Sequence, residues 1–449
     1  MQQTKTTLFA LSTLLLGFAL LQMGNALQGT LLAVRAGLEG FSATSTGLVM
    51  SGFYAGMCLG SVWAARLIEQ AGHIRVFAAL ASLGSAAALM HLLLINPAAW
   101  IIVRTITGFC FAGLIIVVES WLNAASAPET RGRTLSLYSI ASMGAGIVGQ
   151  LLFTIAEPSK FTLFVLVSIL MSVALVPISL SRVSAPISEG DQESPSVRRL
   201  WEFSPFGAIA MLLLGATYGA FYGLAPLYAQ RVGLDQSQIA LLMAAFVVGG
   251  VALQYPVGSL SDRVNRRLVV IAVTAVASAL LAILALSGAV PAWVLLAAFV
   301  AIGAMILPAH SVVIAHVNDR APVTALLAVA GGLVLMMGIG AAIGPVIAGI
   351  VMEQAGPAGL LLFIAALQGA IALYGLFRIY LVEGPSFEEK GTFAPAPITP
   401  VVAELELGVY EEVAIEAEIE AMEQADTTGD TPSENHSESP WARDGGSTL

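Results

Sequence analysis

The chain has 449 residues, of which 57% are hydrophobic and only 11% charged, with a mean hydropathy of +0.86. That is too little charge to cover the surface of a soluble protein of this length, so the composition excludes a soluble globular class and makes the bilayer the solvent. The formal net charge of -10 is local: from residue 381 onward sixteen acids face only Lys390 and Arg443, which gives the tail -14 and leaves +4 for the rest.

A membrane-spanning helix needs about 20 apolar residues, because an α-helix rises about 1.5 Å per residue across roughly 30 Å of hydrocarbon. Twelve such runs follow one another, near residues 7–32, 45–66, 75–95, 98–121, 134–156 and 161–180, then 204–226, 237–258, 268–288, 292–315, 324–351 and 358–380. The expected class is all-α and integral to the membrane. The first run follows a tip whose only basic side chain is Lys5, and it is too long for a cleaved signal, so it reads as a retained span. Gly and Ala crowd the runs, as small residues do where helices approach closely.

Residues 181–203, rich in Ser, Pro and charge, divide the runs six and six. The predicted organisation is an amino-terminal bundle over 1–180, a cytoplasmic linker over 181–203, a carboxy-terminal bundle over 204–380 and an acidic tail over 381–449. Pro395, Pro397 and Pro400 precede the acidic part of the tail, and this composition reads as disorder, with a partner-binding helix through Val402, Leu405, Val409 and Val413 as the alternative. Basic residues favour cytoplasmic loops. With the amino terminus inside, thirteen basic residues of the body fall on the cytoplasmic side and three, Arg35, Lys160 and Arg231, in outer loops. Both termini are therefore expected in the cytoplasm.

The chain repeats itself. Phe53, Gly56, Ala65, Glu69 and Gly72 return 193 residues later as Phe246, Gly249, Gly258, Asp262 and Asn265, and Arg35-Ala36-Gly37-Leu38 resembles Arg231-Val232-Gly233-Leu234 at an offset of 196. Parallel halves of a transporter produce such a pattern. In the second copy, the charged turn Gly258-Ser259-Leu260-Ser261-Asp262-Arg263-Val264-Asn265-Arg266-Arg267 resembles the signature loop of the major facilitator superfamily. Pro128-Glu129-Thr130-Arg131-Gly132-Arg133 resembles that family's next cytoplasmic loop. Arg104 with Gly108 resembles the basic residue opening its fourth helix, and Gly340-Ala341-Ala342-Ile343-Gly344-Pro345 with Gly349 gives the eleventh run a kinked, close-packed helix. The resemblance covers about residues 8–380. It implies twelve helices in two pseudo-symmetric six-helix bundles, a bacterial inner (plasma) membrane location, and substrate bound between the halves beside the first, fourth, seventh and tenth helices.

The expected gating residues are Glu69, Gly72, Arg131, Arg133, Gly258, Asp262, Arg263, Arg266 and Arg267. Asp262, at a helix end, is placed to accept from Arg263 or from backbone N–H groups. Asn265 replaces the glycine of the tight turn, as one of the few residues that tolerate a left-handed backbone. The first copy keeps Gly72 and Glu69 but lacks the paired arginines, so the two latches are expected to be unequal. The alternative is that these arginines only set topology.

Candidate cavity residues are Gln22, Asn25 and Gln28, which step by three within about a 120° sector of one helix, with Tyr218 at the repeat offset from Gln22, Tyr222 one turn on, and His310 after Pro308. They suit a small amphiphilic solute, or else interhelical hydrogen bonding. Glu119 is the one acid well inside a run. A carboxylate there costs roughly 2.5 to 3.5 kcal/mol, which protonation relieves. Glu119 is therefore a proton-coupling candidate, with an ion pair to Arg66 or Arg131 as the alternative. Arg104, fifteen residues away, is about 22 Å off along the axis.

The function expected is secondary active transport of a small solute by alternating access, driven by protons, in the export direction. Uptake by symport is the alternative, and a sensor or scaffold acting through the tail is the alternative of another class. The fifth run carries Gly144, Gly146, Gly149 and Gln150 but lacks the Gly-Pro motif usual in efflux members. ATP-driven transport is excluded within the chain, since Lys5, Lys160 and Lys390 are its only lysines and none follows glycine as a phosphate loop requires. No His-Glu-x-x-His or Gly-x-Ser-x-Gly pattern points to an intramembrane enzyme. Cys58 and Cys110 lack metal-like spacing, and no cofactor, metal or nucleic acid is expected.

Overall fold

The computed structural model describes residues 2–125, 131–179, 196–322 and 325–381. Among these, the chain forms helices α1 (Gln2–Leu38), α2 (Ala43–Ala71), α3 (His73–Leu93), α4 (Pro97–Ala125), α5 (Arg131–Leu152), α6 (Thr162–Val173) and α7 (Leu175–Ser179) in the first half. The second half adds α8 (Val197–Phe203), α9 (Pro205–Arg231), α10 (Gln236–Arg263), α11 (Arg266–Leu286), α12 (Ala292–Asn318), α13 (Leu326–Ala355) and α14 (Ala358–Leu381). Twelve segments are long and apolar enough to cross a bilayer, α6 and α7 counting together as one. That span breaks at Ala174 because Pro177 has no N–H for the helical ladder and its ring clashes with the carbonyl of Val173.

Two sequence expectations are corrected at the span ends. The first helix runs on to Leu38, so Arg35 sits in its last turn rather than in a loop, paired with Glu39 at 2.6 Å; Arg231 likewise closes α9. The linker is not loop throughout, because residues 197–203 form α8. Ser196 caps it by accepting from the Arg199 N–H at 3.2 Å, and the Ser196 N–H donates to the Ala328 carbonyl at 3.0 Å, tying α8 to α13.

The repeated glycines mark one helix crossing made twice. A side-chain carbon on Gly56 would collide with the Thr105 carbonyl of α4, and one on Gly108 with the Phe53 carbonyl of α2. In the second half Gly249 meets Val300 of α12 and Gly303 meets Phe246 of α10 in the same way. Within a bilayer, helices gain little from burying apolar surface against one another, so this close backbone approach supplies the packing.

The halves meet toward one face of the molecule, where α1 and α9 end and α2 and α10 begin. We call this the distal face; the turns at Gly72 and Asn265, together with α8, mark the opposite, linker face. On the distal side Gly47 and Gly349 bring α2 against α13, with backbone atoms of Pro345 and Ala43 in the space a Cβ would need. The Ala43 N–H donates to Glu353 Oε2 at 2.7 Å. Gln236 of α10 donates to the carbonyls of Phe153 and of Ala156, the latter at 2.6 Å. Gly37 of α1 packs on Gln230 and Leu227 of α9.

Candidate functional site

A cavity of about 170 Å3 lies between the halves, the scale of a small solute. Helix α1 lines it with Gln22, Asn25, Gly29 and Thr30, α2 with Met50, Phe53, Tyr54 and Met57, and α5 with Ser142, Gly146 and Gln150. Arg104 and Phe111 of α4, Tyr222 and Gly223 of α9 and Val247 of α10 complete the wall. The spacing of three on α1 keeps Gln22 and Asn25 on the cavity side, about 60° apart. Gln22 Nε2 approaches Ser142 Oγ at 3.5 Å, Thr30 donates to Gln150 Oε1 at 2.5 Å, and Gln150 donates to the Ala26 carbonyl at 3.4 Å. These bonds join α1 to α5. Gln22 Oε1 and Asn25 Oδ1 are buried with no protein partner, so both acceptors are left for a solute.

Among the described residues, Arg104 is the one charged side chain of the wall. It lies seven residues inside α4, about 10 Å from its start, and is 4% exposed. Its Nη1 donates to Gln28 Oε1 at 3.1 Å, its guanidinium carbon stands 4.2 Å above the Phe53 ring, and its Nε has no hydrogen-bond partner. The sequence marks it only through its resemblance to a helix-opening basic residue, not as part of the cavity. The only signal that could have found it is that it belongs to no loop.

Three of the predicted cavity residues do not line it. Gln28, a further 60° around α1, is fully buried and bonded to Arg104. Tyr218 turns toward α12, where its hydroxyl donates to the Ile306 carbonyl at 3.4 Å and its ring lies edge-on to His310, 6.2 Å away. Both are buried there, and the tenth span contributes nothing to the wall. Met50, Phe53, Tyr54 and Met57 are not among the cavity residues expected from the sequence, because α2 is not one of the four helices the resemblance implies; the repeated Phe53-x-x-Gly56 was the available pointer.

Glu119 lies farther along α4 toward the linker face, 5% exposed. It accepts a 2.6 Å hydrogen bond from the Tyr138 hydroxyl of α5, and the Tyr138 ring stacks on Phe18 of α1 at 4.4 Å. Sequence reading looked for cationic partners and did not find Tyr138.

At the linker face the two turns differ in kind. Gly72 has φ +83° between α2 and α3, a conformation that favours glycine. Asn265 does not take the left-handed backbone expected of it: its φ is -60° and ψ 117°. It is there as the cap of α11, its side chain accepting from the Arg267 N–H at 3.0 Å. The ion pairing is corrected as well. Asp262 pairs with Arg266 at 3.3 Å, across the turn, while Arg263 points outward and is exposed. Arg266 also reaches Asp319, at the end of α12, at 3.2 Å, and Arg267 donates to the Arg378 carbonyl at 2.9 Å. Burial and the charge of Arg378 pull Arg320, just beyond Asp319, below the usual guanidinium range, with Asp319 opposing. Gly258 is buried and its carbonyl accepts from Ser261 at 2.7 Å; Glu69 is exposed. Arg131 opens α5, but the side chains of Arg131 and Arg133, residues 126–130 and the tail beyond 381 lie outside the described residues. Among the described residues, no cluster of three or more His, Cys, Asp or Glu could hold a metal.

The model of the Major Facilitator Superfamily matches residues 14–236 and again 207–410. The chain belongs to this superfamily. Among its relatives, the MFS-type transporter Ent638_1421 of Enterobacter sp. (strain 638) is 28% identical over 348 residues, spanning 76% of this chain and 88% of the relative. The MFS-type transporter YcaD of Escherichia fergusonii is 27% identical over 345 residues, again 76% and 88%. The nucleoside transporter NupG shares the fold with a TM-score of 0.67 at 15% identity, over 84% of this chain and all of NupG. The fucose:proton symporter FucP of E. coli aligns with a TM-score of 0.52 at 17% identity, over 83% of this chain and 99% of FucP. Superfamily membership and the twelve apolar helices make this protein a multi-pass transporter of the inner membrane.

Proposed function

We propose that this superfamily member carries a small amphiphilic solute by proton-coupled alternating access, in the export direction. The observation that carries the reading is the cavity between the halves, polar on α1 and α5 and apolar on α2, with the distal side packed shut above it. With the linker face cytoplasmic, as the basic residues indicate, the distal side that is packed shut is the outer one. Gln22, Asn25 and Tyr222 bind the solute; Gln28, Tyr218 and His310 stand behind the wall and hold it in place. Asp262, Arg266 and Asp319 form the latch of the second half, with Arg267 fastening α11 to α14, and the exposed Glu69 makes the first-half copy the weaker.

Glu119 is the coupling group. Ionised, it holds Tyr138 through a charge-assisted bond, roughly twice as strong as a neutral one. Protonation weakens that bond between α4 and α5 and, through Phe18, the seating of α1. Uptake by symport is the second reading: the fold neighbour FucP is a fucose:proton symporter, and α5 has no proline. Proteoliposomes with an imposed pH gradient test the coupling. One proton per solute gives an accumulation of about tenfold per pH unit, lost in Glu119→Gln with exchange at equilibrium retained. Solute movement that ignores the gradient, with Glu119→Gln indistinguishable from the parent, would refute it, and the sign of the gradient that drives accumulation separates export from uptake.

A further inference from the structure

We propose that the solute is an anion, and that Arg104 is its fixed counter-charge. This rests on the cavity being the transport site. An arginine only 4% exposed is costly inside a membrane unless its charge is met, and proteins satisfy this with a carboxylate or by pairing in a water-filled space. Among the described residues neither Asp nor Glu lines the cavity, and Glu119 is about 22 Å farther along α4. What the protein does supply is neutral: the Gln28 amide oxygen at 3.1 Å and the face of Phe53 at 4.2 Å. Both orient the guanidinium without neutralising it. Its Nε is left with no protein acceptor, on a group whose planar fork matches carboxylate and phosphate geometry.

The rest of the wall fits the same ligand. Met50, Met57 and Phe111 give an apolar surface beside the cation, and Tyr54 and Tyr222 add aromatic area with hydroxyl donors. A small organic acid with an apolar body therefore places its anionic group on Arg104 and its body on α2 and α4, a polarised arrangement that no uncharged solute exploits. A bound anion meets the charge that the protein itself leaves uncompensated, so the unpaired guanidinium favours loading with an anion. Arg104 is accordingly a specificity-determining residue that selects the charge of the carried species, while the acceptors of Gln22 and Asn25 meet donors elsewhere on its body.

The test offers matched pairs of solutes, aromatic and short-chain carboxylic acids and their primary amides, to the full-length protein in proteoliposomes. A charge-assisted bond predicts a preference of at least about tenfold for the carboxylate, kept in part by Arg104→Lys and reduced to near parity by Arg104→Gln. Amides moving as fast as acids, or an acid preference that survives Arg104→Gln, overturns the inference while leaving transport through the cavity intact. Flux of every pair equal to that of protein-free vesicles counts against both. A second measurement needs no solute: in a background lacking Cys58 and Cys110, Ser142→Cys is labelled with anionic and cationic methanethiosulfonate reagents of similar size. The anionic reagent is expected to react faster, with the ratio falling severalfold when Arg104→Gln is added. Equal rates in the Arg104 protein, or a ratio that Arg104→Gln leaves unchanged, contradict a cationic cavity.

Discussion

Asp319 and Asp262 share Arg266, but on different terms. Asp319 is 5% exposed in its side chain and Asp262 31%, so losing Asp319 removes the more buried of these two carboxylates from a buried guanidinium. Asp319→Asn should cost about 3 kcal/mol or more, against about 1 kcal/mol or less for Asp262→Asn, read as unfolding midpoints in detergent. Equal costs would put the centre of the latch elsewhere. The turn residues separate in the same way: Gly72→Ala strains a positive φ and should cost about 1–2 kcal/mol, whereas Asn265→Gly loses only a cap, a few tenths of a kcal/mol. If Asn265→Gly stabilised the protein, a left-handed backbone at Asn265 would be restored as the better reading. The capping asparagine was misread from sequence because the same residue type serves both conformations. Asp319 was invisible there because it is 53 residues from Arg266 along the chain and meets it only through the packing of α12 on α11.

At the scale of helices, the duplicated Phe-x-x-Gly has a shared structural reason. Each copy sets one close crossing, α2 on α4 and α10 on α12, and each glycine faces a backbone carbonyl. Gly56→Ala and Gly249→Ala should therefore destabilise alike, by about 1–3 kcal/mol of overpacking, while Gly144→Ala, with open space around it, should be neutral or slightly stabilising. Thermal unfolding of the three variants checks this; a Gly56→Ala protein as stable as Gly144→Ala would remove the crossing from the account. The spans themselves were legible in sequence because hydrocarbon thickness fixes their length. Arg104 was not, since its environment is made by Gln28 and Phe53 from two other helices, and no local pattern announces such a meeting.

Across the whole molecule, the twelve spans and the superfamily were legible in the sequence. The packing of the distal side was not foretold, because it depends on which ends of α2, α13, α5 and α10 touch. The tail follows α14, and the described residues of the cavity wall all precede it. Truncation after Leu381 should leave transport within about twofold of the full chain once expression is equalised; an abolished activity with normal membrane insertion would favour a sensor working through the tail. The central claim is that the distal side must open for the solute to cross. Cysteines introduced at Thr44 and Glu353, in a background without Cys58 and Cys110, allow α2 and α13 to be cross-linked across that side. Transport in proteoliposomes should stop on cross-linking and return on reduction. Transport that continues unchanged with the distal side locked would contradict alternating access through this cavity.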